Sequence, residues 1–231
     1  MNAFQIKLIA VLTMVIDHIG LFFFPVAILP RVIGRLSFPL FAWLIGNGAH
    51  HTRNARNYLI RIFLLAVISQ APFIAANRLI DNSFQDLNVV FTLFLGLAAI
   101  ELIKTTQKKF LWVIIAALSA AIAQLLHTNY GAVGVISIII FYIFYNRLNK
   151  MVIWQTLNFA LFYLIPVIIK LHSGGIISSA DIFSISGMFG LTSLFFIALY
   201  NQKQGLKAKY LFYVFYPLQY IIIYLLKLYI F

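Results

Sequence analysis

Runs of about 20 apolar residues, each long enough to cross the hydrocarbon of a bilayer as a helix, recur from one end of this chain to the other. They leave no stretch from which a soluble domain of useful size could be assembled. Hydrophobic residues make up 63% of the 231 and charged residues 10%, too little polar surface to keep such a chain dispersed in water. Period-two alternation is absent, so the runs predict helices rather than barrel strands. The reading is all-α: a polytopic integral membrane helix bundle, one transmembrane domain over residues 1–231. About nine spans are expected (range eight to ten), near 4–24, 32–50, 58–76, 88–103, 110–127, 131–146, 151–170, 183–200 and 210–230. The fourth and sixth are short enough to be tilted or partly re-entrant.

The net charge of +12 would point a soluble protein toward nucleic acid. Here the basic residues fall in short gaps between apolar runs, so no nucleic-acid partner is expected and the charge reads as topology. With the N-terminus inside, 12 of the 17 Lys and Arg residues fall on the cytoplasmic side: Lys7, Arg53, Arg56, Arg61, Lys104, Lys108, Lys109, Arg147, Lys150, Lys203, Lys207 and Lys209. Arg31, Arg35, Arg78, Lys170 and Lys227 fall on the other, so the positive-inside rule sets N-inside, C-outside. The expected location is a multi-pass position in a bacterial plasma membrane. The first run carries Asp17 and His18 and lacks a small-residue cleavage site, so it reads as a span rather than a signal peptide. Cysteine is absent, which removes disulfides, thiolate catalysis and cysteine metal sites. Tyr58, Trp112, Tyr130, Tyr145 and Tyr210 lie near span ends, as in an interfacial aromatic belt. No internal repeat is visible.

An ionisable residue inside a span is costly and is a candidate functional residue by default. The first span holds Lys7, Asp17 and His18. Lys7 and His18 are eleven positions apart, about three full helical turns, so they share a face at a separation of about 16 Å. That places a cation at the cytoplasmic mouth and an imidazole within the bilayer, spaced so that an acyl-coenzyme A could lie along the helix with its thioester near His18. A histidine can serve as a general base near neutral pH without a metal; a structural histidine bonded between helices is the equal alternative. Asp17 points about 100° away from His18 and is expected to pair with Arg35 or to line the same cavity. A purely structural Asp17–Arg35 pair carries at least equal weight. Arg31 and Arg35, four apart, share a helix face and would either close the outer mouth of a cavity or snorkel to the interface.

On the cytoplasmic side, Arg53 and Arg56 lie one turn apart with Arg61 slightly further in, an array suited to the phosphates of a nucleotide-type molecule. The plainer meaning of such a loop is retention of orientation. His50 and His51 face different ways without carboxylates beside them, so no metal is expected. Asn88 and Thr92 are positioned for interhelical hydrogen bonds. Pro72 predicts a kink in the third span, and Glu101 is expected to pair with Lys104. Tyr130, Gly131 and Gly134 predict close helix packing, Tyr216-Pro217 an interruption of the last helix, and His127 and His172 interfacial positions.

Seven ordered blocks resemble the TraX family, membrane proteins associated with acetylation of conjugative pilin. They are Lys7 through Met14, Asp17, His18 and Gly20; Gly34 and Arg35 through Phe38, Pro39 and Phe41; His51 through Asn54 with Tyr58 and Arg61; Ile68, Ser69, Gln70, Pro72 and Phe73; Asn88 through Thr92; Tyr200 and Asn201 with Gly205; and Phe212 through Tyr216, Pro217 and Leu218. TraX proteins are in turn similar to the acyltransferase-3 group. That group has a basic residue, ten intervening residues and a histidine in its first helix, with an Arg-x-x-Arg pair on the cytoplasmic side. The matching positions are Lys7 and His18, and Arg53 and Arg56. The resemblance implies acetyl-CoA as donor from the cytoplasm and a hydroxyl or amine acceptor at or across the membrane. The acceptor would be a pilin-like peptide N-terminus or a cell-envelope glycan or lipid. His18, Asp17 and Arg35 would be catalytic, with Lys7, Arg53 and Arg56 on the donor. Typical members have acidic residues where this chain has Asn47 and Gln70, and a histidine where it has Gln219. Two other classes remain open: a transporter or lipid-handling protein with Asp17, His18 and Arg35 as a relay, and a non-catalytic assembly subunit.

Overall fold

The computed structural model describes residues 1–206 and 209–229. Lys207, residue 230 and the side chains of Lys209 and Tyr210 lie outside the described residues. Every described element is helical apart from one isolated bridge between Leu87 and Thr128. This is the outcome expected where lipid cannot satisfy an open strand edge. Among the described residues, six helical runs are long and apolar enough to cross a membrane: Ala3–Phe23, Ile28–His51, Ala55–Arg78, Leu148–His172, Ser179–Ala198 and Phe212–Tyr229. Three further helices, Val89–Lys104, Lys109–Leu125 and Gly131–Ile143, have 16, 17 and 13 residues. At 1.5 Å per residue these reach about 20–26 Å, short of a hydrocarbon core of about 30 Å. Each of the nine stretches read from the sequence coincides with one of these helical segments.

The described residues pack as two compact units, each made of two stretches of chain. The first holds Met1–Leu44 and Ile140–Gly205. Its leading helix α1 (Ala3–Phe23) opens on a capping box: Asn2 Oδ1 accepts the Gln5 N–H and Gln5 Oε1 accepts the Asn2 N–H, both at 2.9 Å, satisfying two donors the helix leaves open. The chain just before and within this cap is tied to a later segment, with the Ala3 N–H on the Lys203 carbonyl at 2.9 Å and the Asn201 N–H on the Met1 carbonyl at 2.8 Å. Ala3, Ile6, Ala10, Met14 and His18, three or four apart, form the buried stripe of α1. It packs on α2 (Ile28–Gly34), which continues through a tight turn into α3 (Ser37–His51). Gly34 permits that contact: any Cβ at this position would run into the Asp17 side chain.

Two runs in this unit are irregular at their middles, facing each other. Leu148–His172 consists of α8 (Leu148–Phe159), a π-helical turn (Ala160–Leu164) and α9 (Ile165–His172). Pro166 has no N–H to return to the Phe162 carbonyl, and the Ile165 N–H reaches back five residues to Ala160. Ser179–Ala198 consists of α10 (Ser179–Ser186), a 3₁₀ turn (Gly187–Thr192) and α11 (Ser193–Ala198). A Cβ on Gly187 would come within 2.8 Å of the Tyr163 ring, and one on Gly190 within 2.8 Å of the Phe159 ring. At one edge, Trp43 is buried, stacked 6.3 Å from Tyr145 and set edge-on 4.7 Å from Tyr200.

The second unit holds Ile45–Ile139 and Leu206–Phe231, with the end of α3, α4 (Ala55–Arg78), α5 (Val89–Lys104), α6 (Lys109–Leu125), most of α7 (Gly131–Ile143) and α12 (Lys209–Tyr229). Polar residues at helix ends connect it. Asn88 caps α5 by accepting the Val90 N–H at 2.9 Å and donates to the Ala66 carbonyl of α4 at 2.8 Å. Thr92 donates to the Thr128 hydroxyl at 2.9 Å, so both residues make the bonds expected of them. Glu101 pairs with Lys104 at 2.7 Å, as expected, and Lys104 also donates to the Ala49 carbonyl. Gly96 lets Ile138 approach so closely that a Cβ would lie 2.5 Å from its side chain. α4 runs through Pro72 as a single helix, and α12 runs through Pro217. The second corrects the expected interruption at Tyr216-Pro217. A proline costs an α-helix one backbone bond and a clash with the preceding turn, which neighbouring helices offset here: Tyr216 and Tyr220 are buried, the latter edge-on 5.2 Å from Phe73 of α4.

The paired irregularities make a measurable demand. Gly187→Ala places a methyl against the Tyr163 ring and is expected to cost about 1–3 kcal/mol, read as a lower unfolding temperature in detergent. An unchanged temperature would show that the ring is not fixed there.

Candidate functional site

The side chains that sequence reasoning placed at the centre lie in the first unit. His18 is buried (9% exposed) on the inner stripe of α1, with Phe22 edge-on at 6.5 Å. One position back, Asp17 points along a different radius and forms an ion pair with Arg31, Asp17 Oδ1 to Arg31 Nη1 at 2.7 Å. Arg31 also donates to the Asp17 backbone carbonyl at 3.4 Å. The expected Asp17–Arg35 pair is therefore corrected to Asp17–Arg31. Arg31 projects from the first turns of α2 toward α1, whereas Arg35 sits in the α2–α3 turn and is drawn the other way. Its Nε donates to the Ser186 hydroxyl at 3.3 Å, and its guanidinium carbon lies 4.0 Å from the centre of the Phe183 ring. Arg31 approaches the same ring at 5.0 Å, so the two arginines do share a face. Asp17 stays within electrostatic reach of both, and His18 within reach of Arg31.

Lys7 is half-buried on α1. Residues 7, 11, 14 and 18 follow one row along a helix, and the two between Lys7 and His18 are Val11 and Met14, both buried. Packed apolar side chains thus separate the cation from the imidazole. Arg53 and Arg56 belong to the second unit, in the α3–α4 connection and the first turn of α4. Both are exposed, and Asn54 between them caps α4 through the Asn57 N–H at 2.9 Å. Arg61 is half-buried with its guanidinium 5.7 Å from the Tyr58 ring. Among the described residues no three His, Asp or Glu side chains gather as metal ligands. Outside the spans, Asp81 is held below the usual carboxylate range by the Ser83 hydroxyl and N–H.

The sequence reading missed further buried polar residues of this unit. Gln155 and Asn158 of α8 are almost completely buried (1% and 5% exposed), as are Ser186 and Ser193. Their signal was present: two amides three apart within an otherwise apolar run share one helix face and belong inside the bundle rather than in lipid. Phe183 gave no such signal, since an aromatic ring in an apolar run has no feature that marks it as a platform for arginine.

Gln70, where the resemblance noted above implies a carboxylate, uses both ends of its amide. Its carbonyl accepts the Asn88 N–H at 3.0 Å and the Asn88 side-chain amide at 2.8 Å, while its NH₂ donates to the Asp86 carbonyl at 2.9 Å. A carboxylate could accept but not donate. At Asn47 the backbone carbonyl accepts from His51 Nδ1 at 2.8 Å.

A helical membrane protein whose apolar helices gather an Asp–Arg ion pair, a histidine and a second arginine is the class this geometry defines. The TraX protein family profile matches residues 3–227, and the chain belongs to that family. It is 37% identical over 111 residues to a probable fimbrial assembly protein, FimC of serogroup H1, from Dichelobacter nodosus, covering 43% of this chain and 45% of that protein. It is 30% identical over 91 residues to an uncharacterized protein, RP591, of Rickettsia prowazekii (strain Madrid E), covering 39% of this chain and 33% of the other. The alignments thus span less than half the length of either relative. No solved structure matches the chain.

The ion-pair assignment is open to a double-mutant cycle. Asp17→Asn and Arg31→Gln are each expected to lower stability, with a coupling of about 1–3 kcal/mol between them. Asp17→Asn with Arg35→Gln is expected to show a smaller coupling; the reverse order would restore the original pairing.

Proposed function

We propose that this protein is a membrane-embedded acyltransferase acting in pilus or fimbrial assembly. It moves an acetyl group from cytoplasmic acetyl-CoA to a hydroxyl or amine acceptor at or across the plasma membrane. The observation that carries the reading is a histidine buried in a spanning helix beside a carboxylate–guanidinium pair, an expensive set of groups to keep in lipid without use. The family supports a place in pilus biology, and the name of the Dichelobacter nodosus relative supports a pilin-like acceptor, with an envelope glycan or lipid as the other candidate. We place the chain as a multi-pass protein with about nine spans and its N-terminus inside.

In this reading His18 takes the proton from the acceptor hydroxyl or amine as that atom attacks the thioester carbonyl. The carbon–sulfur bond then breaks, and the thiolate of coenzyme A leaves and is protonated. Asp17, neutralised by Arg31, fixes the first helix beside the reacting atoms, and Arg35 supplies positive charge on the same side of the site. Lys7, Arg53 and Arg56 take the donor's phosphates, for which exposed guanidinium groups one turn apart are suited. Val11 and Met14 must shift for a thioester to pass between Lys7 and His18. That packing favours the second reading, a non-catalytic assembly subunit.

The two readings separate by experiment. His18→Ala, inserted normally in membranes, is expected to lose acetyl-CoA-dependent transfer by about 10²–10⁴-fold, the usual worth of a positioned general base. Arg53→Gln with Arg56→Gln is expected to raise the KM for acetyl-CoA far more than it lowers kcat. Undiminished transfer in His18→Ala would end the catalytic assignment. Failure of coenzyme A to stabilise the wild-type protein at any concentration would favour the assembly subunit.

A further inference from the structure

The surroundings of Arg35 account for only part of its hydrogen-bonding capacity. Its Nε is used by Ser186 and its guanidinium carbon lies over the Phe183 ring. Its Nη2 is buried and has no hydrogen-bond partner. A buried, unbonded guanidinium nitrogen costs free energy that a protein rarely leaves uncompensated. The charge count points the same way: two guanidinium groups face one carboxylate, and the direct contact of that carboxylate goes to Arg31. Within a bilayer an excess positive charge requires a counter-anion.

The geometry is that of a prepared anion site. Contact with the Phe183 ring and the bond to Ser186 hold the guanidinium in place. Ser186 holds the Nε corner and is itself held by its bond to the Phe183 carbonyl at 2.6 Å, leaving the Nη2 edge for an incoming oxygen. Phe183 is 44% exposed and its neighbour Ile182 53%, so the ring that carries Arg35 stands at the surface of this unit. We propose that Arg35, with Arg31, Phe183 and Ser186, binds a phosphate group, carried by an anionic lipid headgroup or free in solution. Phosphate is the anion that lipid presents most densely, and a planar guanidinium matches it edge-on. The inference does not need acyl transfer: a protein with no catalytic step would bind the same group. Under the acyltransferase reading it defines where a phosphate-bearing acceptor is held.

The test uses the full-length protein in a neutral detergent and follows thermal unfolding against three probes: short-chain phosphatidylglycerol, short-chain phosphatidylcholine and inorganic phosphate. A ligand that binds only the folded state must raise the unfolding temperature. The expected result is saturable stabilisation by phosphatidylglycerol over phosphatidylcholine. Arg35→Gln is expected to raise the half-saturating concentration about tenfold or more, the worth of one charged hydrogen bond, whereas Arg147→Gln, at an exposed position, leaves it unchanged. Stabilisation by inorganic phosphate to the same extent would identify the free anion as the ligand; a response to phosphatidylglycerol alone identifies the lipid headgroup. Should Arg35→Gln fail to fold, Arg35→Lys and Phe183→Ala are read in its place, and both are expected to weaken binding. Equal stabilisation of the wild type and the Arg35 variant, or no stabilisation of the wild type by either anion, overturns the proposal. Neither of those results bears on His18→Ala, so this inference and the acyltransferase reading fail separately.

Discussion

The ion pair between Asp17 and Arg31 is the contact on which the first unit depends. Each charge alone would be costly at the depth of a spanning helix, and together they hold α1 against α2. The Gly34 backbone lies so close to Asp17 that no other residue fits there. His18 owes its position to this arrangement, because its neighbour is already anchored and the helix cannot rotate to carry the imidazole into lipid. The pair also decides what happens to Arg35. With the carboxylate in contact with Arg31, Arg35 turns to an aromatic ring and a serine and keeps a nitrogen in reserve.

A second constraint comes from the backbone. In lipid every N–H and C=O must find a partner within the protein, so departures from the α-helix are restricted to places where packing compensates. The π turn before Pro166 and the 3₁₀ turn at Gly187–Thr192 obey that restriction: aromatic rings of one run rest on glycines of the other. Such irregularities recur at functional sites because they turn side chains to directions an ideal helix cannot offer. Here they lie beside Arg35, whose carbonyl is 3.1 Å from where a Cβ of Gly190 would stand, and beside Ser186. The polar cluster and the two broken helices are parts of one local structure.

Membership of the TraX family fixes the relationship of the chain but not its chemistry. The bonds that Gln70 makes are informative on physical grounds. At Gln70 the amide both accepts and donates, and it joins α4 to the segment that caps α5. A carboxylate at this position would lose the donated bond to the Asp86 carbonyl.

Much of the fold was legible in the sequence, because a bilayer enforces the match between apolar run and helix. Asn88, Thr92 and the Glu101–Lys104 pair were readable for a similar reason: polar groups near helix ends have few partners within reach. The sequence alone also singled out Asp17, His18, Arg31 and Arg35 as buried or interfacial ionisable groups. It did not determine which arginine meets Asp17, since both lie on one face of the following helix and the choice turns on the tilt that Gly20 and Gly34 allow. Nor did it show that Pro217 is absorbed within a continuous helix, or that Val11 and Met14 fill the row between Lys7 and His18. Periodicity assigns a residue to a face; only the packed neighbours on that face decide whether the space beside it is open, occupied or bonded.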